Sequence, residues 1–165
     1  MKTQKGFSLI ELLIVVAIIL IIAAIAVPQF MRSKISANES SAVAALHSIA
    51  TAEVSYANSF PTVGYSATLA DLGGSATTCA TATGATQTNA CLLDNVLALA
   101  NSANNSKSGY YFTYIPAASG GTTFSVQAPP SIPGTTGQRY FFTDQTGVIR
   151  YGLNVQPDNT FPAIQ

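Results

Sequence analysis

Few side chains in this sequence could do chemistry, and the one in the strangest place is Glu11. It sits four residues into Phe7–Val27, a run of 21 residues in which only it and Ser8 are polar. A carboxylate placed in hydrocarbon costs about 3 kcal/mol even on lenient insertion scales, so Glu11 demands a cationic or hydrogen-bonding partner. Cys79 and Cys91 are the only thiols. Their spacing is not C-x-x-C and no histidine cluster accompanies them, so metal ligation is not indicated. A disulfide is the natural reading if this part of the chain lies outside the cytoplasm, and two free thiols are the alternative. His47, the sole histidine, falls in a helical run of Ala and Leu, where a structural role outweighs a catalytic one. Asp71, Asp94, Asp144 and Asp158 are scattered, and no nucleophile elbow, zinc-protease or phosphate-loop pattern occurs. Asp144-x-x-Gly147 reads as a turn, since a calcium loop needs more oxygen ligands at close spacing. No enzyme, cofactor or metal site is expected.

Composition bounds the rest. Charged residues make up 8% of the chain, about a third of the usual share, with seven acids against seven bases. No basic stretch points to nucleic acid. Apolar residues concentrate in 7–27, whereas 61–137 is rich in Thr, Ser, Gly, Ala and Asn. The pattern is that of a membrane-inserted tail on a polar head of low charge. As a helix, Phe7–Val27 would extend about 31 Å, the thickness of a bilayer's hydrocarbon core. A secretory signal peptide, with Ala24-Ile25-Ala26 as its cleavage site, would carry a shorter apolar core and no acid. A plain membrane anchor leaves Glu11 unexplained. Lys2 and Lys5 on one flank face Arg32 and Lys34 on the other, so the flanks do not orient the span.

Helical periodicity continues past Pro28, where a missing N–H and a steric clash predict a kink or local loosening. Val43, Leu46, Ala50, Val54 and Ala57 mark an apolar stripe, giving one helix over about 7–58. Phe60-Pro61 ends it. Residues 61–108 are expected to be a connector with little order of its own, holding short helices at Ser66–Leu72 and Leu92–Asn101. Strands are predicted at Tyr110–Ile115, Thr123–Ala128, Arg139–Thr143 and Val148–Tyr151, the last two joined by the Asp144–Gly147 turn. The alternating Tyr110, Tyr111, Phe112 and Tyr114 suit sheet packing better than base stacking. Asn38-Glu39-Ser40 and Asn104-Asn105-Ser106 match the N-x-S sequon, a weak signal here. The fold class is α+β: a long N-terminal helix packed on a small antiparallel sheet of three to four strands, one face on the helix and one outward.

Gly6-Phe7-Ser8-Leu9-Ile10-Glu11, after the basic leader Met1–Lys5 and before an unbroken apolar run, resembles the prepilin signature of type IV pilins and type II secretion pseudopilins. The resemblance implies a leader at 1–6, a membrane and filament-core helix at 7–28, and a head at 29–165 (helix 29–58, connector 59–108, sheet 109–165). It implies cleavage between Gly6 and Phe7 by a prepilin peptidase and N-methylation of Phe7. Phe7 and Glu11 would serve subunit assembly, and Pro28 would be the helix-disrupting proline. The implied protein is an inner-membrane precursor held in lipid, then a helical homopolymer built with an assembly platform protein. Pseudopilin and minor pilin are the alternatives, the former weakened because Arg150–Gln165 lacks an acidic calcium loop. A surface- or sugar-binding module on a membrane stalk is a third possibility, for which the sequence offers no concentrated pocket.

Overall fold

A computed structural model describes residues 7–80, 85–116 and 121–164. The chain divides into two compact units, Met1–Lys34 and Ile35–Gln165, and helix α1 (Leu9–Ser59) contributes residues to both.

In the first unit α1 starts just after Ser8, whose carbonyl accepts the Leu12 N–H at 3.3 Å. Its apolar side chains are exposed all round, from Phe7 through Val27 to Phe30 and Met31. The anticipated interruption at Pro28 does not appear as a break: α1 is continuous with Pro28 inside it. One missing N–H removes a single i→i−4 bond, a penalty of about 3 kcal/mol that the bonds on either side are placed to absorb.

In the second unit α1 buries Glu39, Ala42, Ala45, Leu46, Ile49, Ala52, Glu53 and Tyr56. These recur at steps of three and one, the spacing of a single core-facing helix face. The face is rotated by about one residue position, roughly 100°, from the stripe expected at Val43–Ala57. Val54, on that stripe, is 52% exposed. Alanines fill much of the true interface, because a small side chain lets the sheet approach the helix closely, and they carry a weaker apolar signal than Val.

Four antiparallel strands form a meander in the order β1-β2-β3-β4: β1 Thr113–Pro116, β2 Phe124–Ala128, β3 Arg139–Asp144 and β4 Arg150–Leu153. β2 alternates Phe124, Val126 and Ala128, all buried, with half-buried Ser125 and Gln127. Val126 lies opposite Thr143 and Ala128 opposite Phe141, so these inward residues meet Leu46, Ile49 and Tyr56 in one core. The outward face is not fully open, since Phe142 is also buried. The chain beyond β4 folds back along its edge, with Ile164 N–H bonded to Ile149 O at 2.9 Å and an Arg150 Nη donating to Phe161 O at 2.8 Å.

The described parts of the connector are better ordered than its composition suggests. A 3₁₀ turn, Leu69–Leu72, and two short helices, α2 Ala76–Ala80 and α3 Asn95–Ala98, punctuate it. Leu69, Leu72, Leu97 and Ala100 enter the core. Asp94 caps α3 by accepting the Leu97 N–H at 2.9 Å. Gly64 (φ +83°) and Gly121 (φ +59°) let two loops touch through their backbones, with Tyr65 N–H donating to Gly121 O at 2.7 Å. A Cβ on either glycine would strike the other loop's carbonyl.

Candidate functional site

At the start of α1, Phe7 is 82% exposed and Glu11 accepts the Ser8 N–H through Oε2 at 2.9 Å. This is a capping interaction: an acid in the first turn answers an amide left without an intrahelical partner. It satisfies one lone pair of a carboxylate that could accept several donors, so Glu11 retains capacity for a cation. Gly6 and the rest of the expected leader lie outside the described residues. By length and composition α1 is apolar enough to cross a membrane, and none of its most apolar window is buried.

The cysteines are joined: Cys79 and Cys91 form a disulfide with Cα atoms 5.8 Å apart. Gly74 lies against it, where a Cβ would come within 2.5 and 2.8 Å of the two sulfurs. Backbone bonds from Ala90 to Asp71 (2.8 Å), Cys91 to Gly73 (3.0 Å) and Leu92 to Leu72 (2.8 Å) stitch the returning strand of this loop to the 3₁₀ turn. The Tyr56 hydroxyl donates to Gln87 O at 2.9 Å and ties the loop to α1.

The remaining candidates disperse. His47 is exposed rather than part of the core. Asp71 accepts the Thr68 N–H, and Asp158 accepts the N–H and hydroxyl of Thr160, chiefly the latter holding its carboxyl below the usual range. Asp144 closes the β3–β4 turn through Thr146. Asp94 pairs with Lys107 at 2.6 Å, and that contact first, with the Leu97 N–H, lowers its pKa. Among the described residues no three His, Cys, Asp or Glu converge as a metal cage would require. Asn38 of the first sequon is engaged, donating to Thr136 O at 2.8 Å.

Two carboxylates that sequence reasoning passed over do most of the polar work on α1. Glu39 accepts the Gln138 N–H (2.9 Å), the Arg139 N–H (3.1 Å) and the Arg139 Nε (2.7 Å), fastening the start of β3 to the helix. Burial alone would raise its pKa, but these donors together outweigh that and hold it below the ordinary value. Glu53 is wholly buried with no cation in contact among the described residues; it accepts the Ser66 N–H at 3.0 Å and the Ser66 hydroxyl at 2.6 Å. Desolvation dominates there and raises its pKa. Their only signal in the sequence is negative: an acid on the core-facing side of a helix.

The segment that carries Glu11 defines a class. Residues 1–27 match the family described as the prokaryotic N-terminal methylation motif. The resemblance to type IV pilins read from Gly6–Glu11 holds over the same end of the chain. A fimbrial protein of Pseudomonas aeruginosa is 77% identical over 30 residues, 18% of this chain and 20% of that protein. The type IV major pilin protein PilA of Myxococcus xanthus is 47% identical over 53 residues, 32% of this chain and 24% of its own. The type IV wide pilus major component PilA4 of Thermus thermophilus is 47% identical over 47 residues, 28% and 36% of the two chains. The chain thus spans about a fifth to a third of the length of these relatives. No solved structure matches the chain.

Proposed function

We propose that this chain is a structural subunit of a type IV pilus. In this reading it waits as a single-pass precursor in a bacterial inner membrane. A prepilin peptidase then cuts between Gly6 and Phe7 and methylates the new Phe7 amine. An assembly platform protein passes the subunit into a helical filament outside the cell, whose core is a bundle of the apolar segments. The observation that carries the reading is the exposed apolar segment Phe7–Val27, helical from Leu9, with one acid at its mouth, bonded only to the Ser8 N–H among the contacts described.

The chemistry follows from charge. Cleavage would create an α-ammonium at Phe7, four residues from Glu11, in a medium that solvates neither ion. Each bare ion costs several kcal/mol to dehydrate, so each is driven to a partner. Pairing Glu11 of one subunit with the Phe7 amine of its neighbour neutralises both and fixes the axial stagger. Contacts between unlike patches generate an open fibre rather than a closed ring. Pro28, which already leaves one carbonyl of α1 without its usual donor, is where the helix would loosen during packing.

Glu11→Ala and Glu11→Gln should therefore still insert in the membrane yet enter filaments poorly. Membrane fractionation and fibre yield by electron microscopy check this; a normal yield of fibres from either variant would overturn the pairing. Long fibres composed mainly of this chain mark a major pilin, while their absence from a producing cell favours a pseudopilin or minor pilin.

A further inference from the structure

Just beyond the apolar run lie two cations that nothing described in the chain engages. Arg32 and Lys34 are both exposed. The ion pairs among the described residues, Lys107–Asp94 and Arg139–Glu39, involve neither. No Asp or Glu occurs between Glu11 and Glu39, and Glu39 is committed to Gln138 and Arg139. Two residues apart on a helix, the pair point to nearly opposite sides of the axis, roughly 200° apart. They form a ring around α1 rather than a one-sided patch.

Their depth is set by the same helix. If Phe7–Val27 fills the roughly 30 Å hydrocarbon core, the headgroup zone extends some 5–8 Å beyond it. Arg32 and Lys34 lie about 8 and 10 Å past Val27 along the axis, within reach of that zone for long side chains that extend toward phosphate. Between them and the core, Phe30 (70% exposed) and Met31 (50% exposed) offer apolar surface at the boundary.

We infer that Arg32 and Lys34 are a lipid-binding collar, which grips anionic phospholipid headgroups at the end of the span opposite Phe7 and sets the depth at which the subunit is stored. The inference rests on the membrane-precursor reading above. Unlike a hydrophobic anchor, such a collar responds to lipid composition and salt, and it must let go when the subunit leaves the bilayer.

The chain contains no tryptophan, so Phe30→Trp supplies a single fluorescent donor beside the collar. Full-length chain carrying it is placed in phosphatidylcholine vesicles doped with either dansyl-phosphatidylglycerol or dansyl-phosphatidylcholine. The anionic lipid should be enriched around the donor by up to about fivefold for each cation, so energy transfer to it should exceed transfer to the zwitterionic one. The preference should vanish in Arg32→Gln/Lys34→Gln, which retains Lys2 and Lys5, and in about 1 M salt, where the screening length is about 3 Å. Equal transfer to both lipids in the parent chain, or a preference that survives the double substitution, overturns the collar while leaving insertion intact. Absence of transfer to either lipid overturns the membrane reading and the collar with it.

Discussion

Removing the Glu39 carboxylate should do more damage than removing the arginine paired with it. In Glu39→Ala the Gln138 and Arg139 amides at the start of β3 lose the acceptor that now lies 2.9 and 3.1 Å away. A buried donor left unsatisfied costs about 1–3 kcal/mol; these two are part-buried, on an exposed and a half-buried residue, so together they amount to about 2–4 kcal/mol. The freed guanidinium adds little, because its side chain is 40% exposed and water can reach it. In Arg139→Ala the carboxylate keeps both backbone donors. What is lost is a half-exposed ion pair, worth about 0–1 kcal/mol, and contacts 5.7 Å above the Phe141 and Tyr151 rings, worth about 0.5–1 kcal/mol each when exposed. The sum is about 1–3 kcal/mol, toward the lower end because the guanidinium is exposed to water. Thermal unfolding of the full chain in mild detergent, followed by near-ultraviolet circular dichroism, should show Glu39→Ala melting about 5–15 °C below the parent. Arg139→Ala should fall by less. Equal losses, or a larger one for Arg139→Ala, would show that the salt bridge rather than the carboxylate–amide bonds fastens the strand.

The two buried acids should bend the pH profile in opposite directions. Glu39, with its pKa lowered in the fold, contributes stability above its unfolded pKa that is lost as pH falls through the folded value; Glu39→Ala should therefore have a flatter acid limb. Glu53, with its pKa raised by desolvation, contributes most below its unfolded pKa and loses that contribution as pH rises through the folded value. Glu53→Gln should gain on the parent as pH rises, read by melting temperature across the series, and a constant gap would count against it. Opening the Cys79–Cys91 bridge by Cys79→Ser/Cys91→Ser frees a loop with a sequence separation of 12, a loss of about 3 kcal/mol on the chain-entropy description. Denaturant titration with and without reductant checks this: the parent should shift on reduction and the double variant should not.

The N-terminal segment was legible because membrane physics writes itself in one dimension: an apolar run of bilayer length and one acid that has no business there. The sheet was legible to within two or three residues, and most closely in β2, where Phe124 and Val126 alternate with polar neighbours. The starts of β1 and β4 lay two or three residues later than the aromatic pattern suggested. Tyr110 and Phe112 are spent on the core before pairing with β2 begins, and Ile149 enters the core with its carbonyl bonded to the Ile164 N–H before pairing with β3 begins. The buried side of α1 was harder. Alanines at 42, 45 and 52 and the acids at 39 and 53 look like surface until their partners are known. Glu39 meets Arg139 across 100 residues of sequence, and no local pattern encodes that. The connector's order was hidden for a similar reason, since it comes from the disulfide, from Leu69, Leu72 and Leu97 entering a distant core, and from backbone bonds to the 3₁₀ turn.

If Glu11 pairs with an amine released by cutting the chain, the protein sheared from cell-surface fibres must carry that new terminus, which intact mass and N-terminal sequencing read. The subunit should begin at Phe7 with a methylated amine; a subunit that still begins at Met1 would rule out the pairing.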